Sequence, residues 1–231
     1  MKISYIVPCF NESKNIQEVY NQIISANLKT NIHDYEIILI NDYSSDNTLE
    51  IFYNLKEQNN KIKVLNNNKN LGLGRSIKEG LIQASKEYVM YLPGDNCHSS
   101  NEVSKLLSVE ENYDILLSYY SNKKDRSFFR WFFTATYTPF LNFIFNKKLP
   151  YYNGIAIYKR KIVEKINITT SGFTWQIELL VKILKNKKTM LILKPTILNE
   201  RNHGKSKAFR IKNCFIVIYS IFSIWMWNIF N

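Results

Sequence analysis

Short apolar runs alternate along this chain with stretches whose apolar residues return every three or four positions. KISYIV (Lys2–Val7) is the first run, and Ile16, Val19, Tyr20, Ile23 and Ile24 follow it at helical spacing. EIILI (Glu36–Ile40) is the second, with a helix predicted from Asp46 to about Gln58. KVL (Lys63–Leu65) is short and buried, Leu73–Ser85 reads as a helix, and YVMYL (Tyr88–Leu92) and DILLSY (Asp114–Tyr119) read as strands. Strands that are apolar almost throughout, separated by helices, predict an α/β fold whose mostly parallel sheet is covered on both faces. Ligands of such sheets lie beyond the carboxyl ends of the strands. The polar residues just after each run therefore carry the functional expectation.

The second half is less regular. Phe128–Phe145 (FFRWFFTATYTPFLNFIF) is dense in aromatics, GIAIY (Gly154–Tyr158) is strand-like, Trp175–Leu184 reads as a helix, TMLIL (Thr189–Leu193) as a strand, and a last apolar run occupies Cys214–Phe230. No internal repeat or low-complexity linker interrupts the chain.

Each predicted strand of the first half ends in a polar cluster: VPCFNE (Val7–Glu12), NDYSSDNT (Asn41–Thr48), NKNLGLGRS (Asn68–Ser76) and LPGDN (Leu92–Asn96). Any one of these is consistent with a turn and a helix N-cap and nothing more. Four on one sheet edge point to a shared site. The GLG at Gly72–Gly74 is not a dinucleotide fingerprint, because the third glycine of that motif would fall at Ile77. Its glycines are expected to let the backbone approach a ligand or to open a helix. No phosphate-loop pattern of the Walker type is present.

The net charge of +12 over 231 residues calls for an anionic partner (nucleic acid, anionic lipid or a phosphorylated substrate) or serves solvation. Nucleic acid is not expected, because no helix-turn-helix, zinc-finger or RNP-like pattern accompanies the charge. Cys9, Cys97 and Cys214 are scattered and odd in number, which argues against a disulfide framework or a zinc site and fits a reducing compartment.

Taken in order and spacing, VPCFNESKNI, EIILINDYSSDNT, NLGLGRSIKEG and LPGDN resemble the family 2 glycosyltransferases of GT-A fold. YNGIAIYKRK (Tyr152–Lys161) resembles that family's glycine-containing strand before a basic pair, and SGFTWQIELL (Ser171–Leu180) its acceptor-side helix. ERNHGKSK (Glu200–Lys207) resembles the R-x-x-G-x-S-K segment of the dolichol-phosphate mannose synthase-like, or polyprenyl-phosphate sugar synthase, branch. The resemblance spans about residues 2–207 and implies a GT-A domain over 1–207, followed over 208–231 by a basic collar and a hydrophobic membrane-associating segment.

The resemblance also implies roles. Pro8, Phe10, Asn11, Glu12 and Asp42 map to the positions that hold the nucleotide base and ribose; Asn70, Gly72, Gly74 and Asn96 are read with the nucleotide-sugar group. Asn41 stands where the family has the first acid of a pair. The D-x-D metal motif maps to Pro93-Gly94-Asp95, without its first carboxylate, and Gly94 is expected to let the diphosphate approach. Magnesium takes few protein ligands and keeps waters and substrate phosphates, so Asp95 alone is read as the ligand of Mg²⁺ or Mn²⁺. Arg201, Ser206 and Lys207 carry the chemistry that neutralises a leaving diphosphate, while Lys205, Arg210 and Lys212 suit a membrane surface.

A hydroxyl acceptor needs a base, whereas a lipid phosphate is already ionised. The family's hydroxyl-acceptor branch usually carries an acidic pair near position 176; here Gln176 and the single Glu178 stand, which resembles the phosphate-acceptor branch. Glu178 is kept as a catalytic candidate. The expected reaction is transfer from a UDP- or GDP-sugar to a polyprenyl-phosphate lipid, with a saccharide hydroxyl as the alternative acceptor and a non-catalytic nucleotide-sugar-binding relative as another. The aromatic run Phe128–Phe145, with Lys123, Lys124, Arg126, Lys147 and Lys148 beside it, suits an interfacial helix or a core pair. Cys214–Phe230 has no charge over 17 residues, and its Trp225 and Trp227 suit an interface. An in-plane helix on the cytoplasmic face of a membrane is expected ahead of a full span.

Overall fold

A computed structural model of the chain describes residues 1–121, 128–199 and 211–230. The elements run β1 (Ile3–Cys9), α1 (Ile16–Lys29), β2 (Tyr35–Asn41), α2 (Thr48–Gln58), β3 (Ile62–Asn66), α3 (Leu73–Gln83), β4 (Tyr88–Tyr91), α4 (Ser100–Leu107) and β5 (Ile115–Tyr120). They continue as α5 (Phe128–Phe145), β6 (Ala156–Lys159), α6 (Arg160–Val163), α7 (Trp175–Ile183), β7 (Leu191–Thr196) and α8 (Ile211–Phe230).

The seven strands form one sheet in the order β3-β2-β1-β4-β6-β5-β7. β1 pairs in parallel with β2 (Ile6 opposite Ile38) and with β4 (Ile6 opposite Tyr91), and β2 with β3. β6 enters antiparallel between β4 and β5, and β7 closes the edge parallel to β5. The expected α/β, mostly parallel sheet is therefore present, with one strand reversed.

Strand alternation divides the core. Ile3, Tyr5, Val7, Ile37 and Leu39 pack on one face with Ile16, Val19 and Ile23 of α1, Phe52 of α2 and Val103 of α4. Ile6, Ile38 and Ile40 pack on the other with Ile77 of α3, Leu141 and Phe145 of α5, and Leu180 of α7. Every residue of β1 is buried, which is why its run reads as continuously apolar.

Two elements differ from expectation. β7 starts two residues late and runs through Pro195, which the sheet tolerates because β7 is an edge strand whose outer side needs no ladder donor. The C-terminal run is not a segment apart from the globular body: Ile221 and Ile224 of α8 belong to the core face shared with α5 and α7. Among the described residues no helix is long and apolar enough to cross a membrane. The domain boundary expected at residue 207 lies outside the described residues.

Candidate active site

Parallel pairing puts the carboxyl ends of β1, β2, β3 and β4 on one sheet edge. The loops leaving β1, β2 and β3 are bonded to one another. Asp42 N–H donates to Cys9 C=O at 2.9 Å, carrying the β1–β2 ladder one residue past the strands. Asn11 turns with φ of 59°, a conformation that asparagine tolerates. Its N–H donates to Ser44 Oγ (2.9 Å), and its Oδ1 accepts from Ser45 N–H (2.8 Å). Glu12 N–H donates to Thr48 Oγ1 (3.0 Å) and Ser13 N–H to Asp46 Oδ2 (3.1 Å).

Asp42 is a loop organiser. Its side chain is buried, and its carboxylate accepts from Leu71 N–H (2.8 Å), Gly72 N–H (2.9 Å) and Asn67 Nδ2 (3.0 Å), while Asn70 Nδ2 donates to its backbone carbonyl (3.1 Å). A carboxylate has about four acceptor positions, so one remains for a ligand hydroxyl or N–H.

Asn41, the departure from the family's first acid, has a local reason. Its Nδ2 donates to Asn66 Oδ1 (2.8 Å) across to β3, and its Oδ1 accepts from Ser44 N–H (3.1 Å). A carboxylate at that buried position could accept from Ser44, and would pair with Asn66 only if the Asn66 amide turned to present its Nδ2.

The glycines serve internal contacts. Gly72 caps α3 with φ of 85°, and a Cβ there would lie 2.6 Å from Ser171 O. A Cβ on Gly74 would lie 2.1 Å from Thr170 O, and Gly74 N–H donates to Ser171 O at 2.9 Å. These two glycines open a helix, as expected, and the backbone they admit is the chain's own. A Cβ on Gly94 would meet Cys9 Sγ at 2.4 Å, so the absence of a side chain there seats the LPGDN turn against β1.

Asp95 is half-buried at the end of β4; Cys97 N–H donates to its Oδ1 at 3.3 Å. Asn96 follows with φ of 56°. Burial pushes the Cys9 thiol well up, and the carboxylates of Glu12, Asp95 and Asp46 push it further. Three carboxylates thus act on one point of an otherwise basic protein. Among the described residues no three His, Cys, Asp or Glu side chains form a metal-holding group. Asp95 fits a magnesium-type cation because its oxygens are hard donors, and such cations need few protein ligands.

Glu178 does not face this edge as a base. Its side chain is 1% exposed and accepts from Thr169 N–H (3.0 Å), Thr169 Oγ1 (2.8 Å), Thr170 N–H (2.9 Å) and Lys182 Nζ (2.6 Å). Burial works to raise its pKa, but Lys182 and the backbone donors outweigh that and hold it below the ordinary value. A low-pKa, fully engaged carboxylate positions the 169–171 loop, and the catalytic expectation for it is withdrawn on that ground. Gln176 is likewise engaged, donating to Gly154 O (2.6 Å) and Tyr158 Oη (3.1 Å).

Pro8 is buried at the end of β1, and Phe10 is half-buried just beyond it. Arg201, Ser206 and Lys207 lie outside the described residues; Asn199, before them in the chain, donates its N–H to Cys97 O at 3.0 Å, two residues from Asp95. Two residues were not singled out by sequence. Tyr43, next to Asp42, holds φ of 65° with its ring exposed; the trace in sequence is a turn without glycine. His98, three residues past Asp95, is 4% exposed with Nδ1 unpartnered, stacked on Tyr120 at 6.1 Å. Burial pushes its pKa down to about 4 despite Asp95 and Glu102.

A mostly parallel seven-stranded sheet with β6 reversed between β4 and β5, and its polar loops at the carboxyl ends of β1 to β4, define a GT-A-type fold. The family model for Glycosyl transferase family 2 matches residues 4–167, and the chain belongs to that family. The poly-beta-1,6-N-acetyl-D-glucosamine synthase of Staphylococcus epidermidis is 41% identical over 93 residues, 40% of this chain and 21% of that protein. The match thus spans about a fifth of the curated relative's length. Glucosyl-3-phosphoglycerate synthase from Mycobacterium tuberculosis, solved with Mn²⁺, UDP and phosphoglyceric acid, superposes with a TM-score of 0.71 at 17% identity, covering 98% of this chain and 78% of that one. Staphylococcus aureus TarS 1-349 with UDP-GlcNAc gives 0.66 at 19% identity, covering 100% and 67%.

Proposed function

We propose that this enzyme uses a nucleoside-diphosphate sugar and a divalent cation to glycosylate a hydroxyl of a saccharide acceptor. The observation that carries the donor half is the sheet edge itself, where Asp42, with one acceptor position left, holds the 67–72 loop, the loops after β1 and β2 are bonded together, and the turn that carries Asp95 packs through Gly94 on Cys9. Asp42 binds and orients the nucleoside. Phe10 and the exposed Tyr43 offer it aromatic faces. Asp95 holds the cation, which when bound supplies Lewis-acid neutralisation of the leaving diphosphate. Arg201, Ser206 and Lys207 are assigned to the same phosphates by chemistry alone.

The acceptor assignment is moved from lipid phosphate to saccharide hydroxyl by the named relative, a polysaccharide synthase, and UDP-GlcNAc is accordingly the first donor to try. One observation favours the lipid-phosphate reading. Glu178 and Gln176 are both committed internally, so α7 presents no carboxylate to deprotonate a hydroxyl. A hydroxyl acceptor would need its base from another element.

Transfer of labelled sugar from UDP-GlcNAc with Mn²⁺, onto β-1,6-linked glucosamine oligomers in one arm and onto a polyprenyl phosphate in the other, separates the two. Product only in the second arm, abolished when the polyprenyl phosphate is first treated with phosphatase, would overturn the saccharide assignment. Asp95→Ala should keep its circular dichroism and lose the cation-dependent rise in Tm that a donor confers by mass action. Its turnover should fall by roughly 10²-fold or more, as for loss of one group at a developing charge. Undiminished turnover would remove Asp95 from the site.

A further inference from the structure

α8 has two apolar faces, and the core uses one of them. Val217, Ser220, Ile221 and Ile224 turn toward α5 and α7. Phe215, Ile218, Tyr219, Phe222 and Ile229 return at intervals of three, four and seven residues on the opposite face, and all are exposed: Phe215 at 69%, Ile218 at 64% and Tyr219 at 75%. From Asn213 to Phe230 the helix carries no charge. Contiguous apolar surface of this kind marks an interaction site.

The charge around it identifies the partner. From Leu179 to the chain end there are ten Lys and Arg residues and one acid, Glu200. Lys185, Lys187 and Lys188 are exposed on the turn after α7, and Lys185 Nζ donates to Asn228 O (3.0 Å), tying that turn to the C-terminal end of α8. Lys182 and Lys185 lie 5.0 and 5.5 Å from the Trp227 ring centre. Arg210 and Lys212 flank the other end in sequence. A second copy of the chain would bring two strongly basic rims together, at a cost that an anionic surface avoids.

We propose that the outer face of α8 seats in the headgroup boundary of an anionic bilayer, parallel to its plane, with the lysines after α7 reaching lipid phosphates. The geometry excludes a span for this helix, since its other face is packed in the core. An uncharged stripe with basic residues at its rim is the arrangement by which helices lie in an interface. Juxtamembrane lysines and arginines add attraction to anionic lipid, which is concentrated in the cytoplasmic leaflet. The proposal does not depend on the acceptor or on turnover.

Co-sedimentation of the full chain with vesicles of phosphatidylcholine, and of phosphatidylcholine mixed with anionic phosphatidylglycerol, tests it. The full chain should bind the anionic vesicles at least tenfold more tightly, with a blue shift of Trp emission. Ile218→Asp/Phe222→Asp, changed only at exposed positions, should lose that binding with unchanged circular dichroism. Lys187→Glu/Lys188→Glu should weaken it several-fold and reduce its salt dependence, and provides the test if the first variant fails to fold. Absence of binding to anionic vesicles, equal binding to both compositions, or a solution dimer that Ile218→Asp/Phe222→Asp dissociates would each overturn the proposal.

Discussion

Tyr43 shows how a single residue can be set against its own backbone preference. A side chain in the left-handed region costs roughly 1–2 kcal/mol relative to the right-handed form, and bulky residues there are outliers that accompany functional turns. Tyr43→Gly removes that cost and adds glycine's own chain entropy, so its urea midpoint should match or exceed that of the native chain. If the exposed ring faces the nucleobase, affinity for UDP should fall in the same variant. Unchanged UDP affinity would reduce Tyr43 to a turn residue. Asn41 makes the companion point. Its amide bridges Asn66 and Ser44 at 2.8 and 3.1 Å, so the missing family acid is replaced by a group the loop needs.

Between elements, the donor-side and acceptor-side loops are joined by a hydrogen-bonded series. Asp42 holds the 67–72 loop, Gly74 N–H holds Ser171 O, and Glu178 holds Thr169 and Thr170 from α7. Gly74→Ala would press a methyl group against Thr170 O, and overpacking of this kind costs about 1–3 kcal/mol. The loss should be visible as a lower urea midpoint, with weakened nucleotide binding as the loop shifts. A midpoint at or above the native value would mean the two loops yield without strain. Glu178→Gln removes the charge partner of Lys182, whose ammonium keeps Asn167 O as an acceptor, so the loss should stay below the about 3–5 kcal/mol of a fully broken buried pair. Glu178→Gln tests positioning against catalysis: a positioning role predicts a loss of stability with an unaltered pH–rate profile in the folded fraction. Loss of the basic limb of that profile without destabilisation would restore Glu178 as a base.

For the whole molecule the consequence is acid lability in two stages. His98 has its folded pKa depressed from 6.5 to about 4, so the unfolded chain takes the proton first as pH falls. Its neutral form stabilises fully above pH 6.5, and that contribution declines between 6.5 and about 4, by roughly 3 kcal/mol at 1.36 kcal/mol per unit. Glu36 and Glu178 are held below the ordinary carboxylate value of 4.5, so their contributions persist above it and are lost as pH falls through their lower folded values. Urea unfolding at steps from pH 7 to 4 should show a decline beginning near 6.5, and His98→Phe should flatten that first part. A native curve level down to pH 5 would contradict the buried, neutral His98.

The sheet was legible in the sequence because burial on both faces leaves nearly unbroken apolar strands, and each strand end stands out as a polar cluster. The family resemblance was legible for the same reason: VPCFNE, NDYSSDNT, NLGLGRS and LPGDN occur in order along the chain. The direction of β6 was not, since a strand of four residues carries no mark of its orientation and only pairing with β4 and β5 sets it. The roles of Glu178, Gly74 and Gly94 also required the fold. Sequence gives their chemical type, but whether a carboxylate meets a ligand or Thr169, and whether a glycine admits a phosphate or Thr170 and Cys9, depends on contacts between distant segments. The C-terminal run shows the division most clearly. Its sequence establishes an apolar, uncharged helix; tertiary packing decided that Ile221 and Ile224 serve the core while Phe215, Tyr219 and Phe222 face outward, because α5 and α7 can cover only one side of a helix.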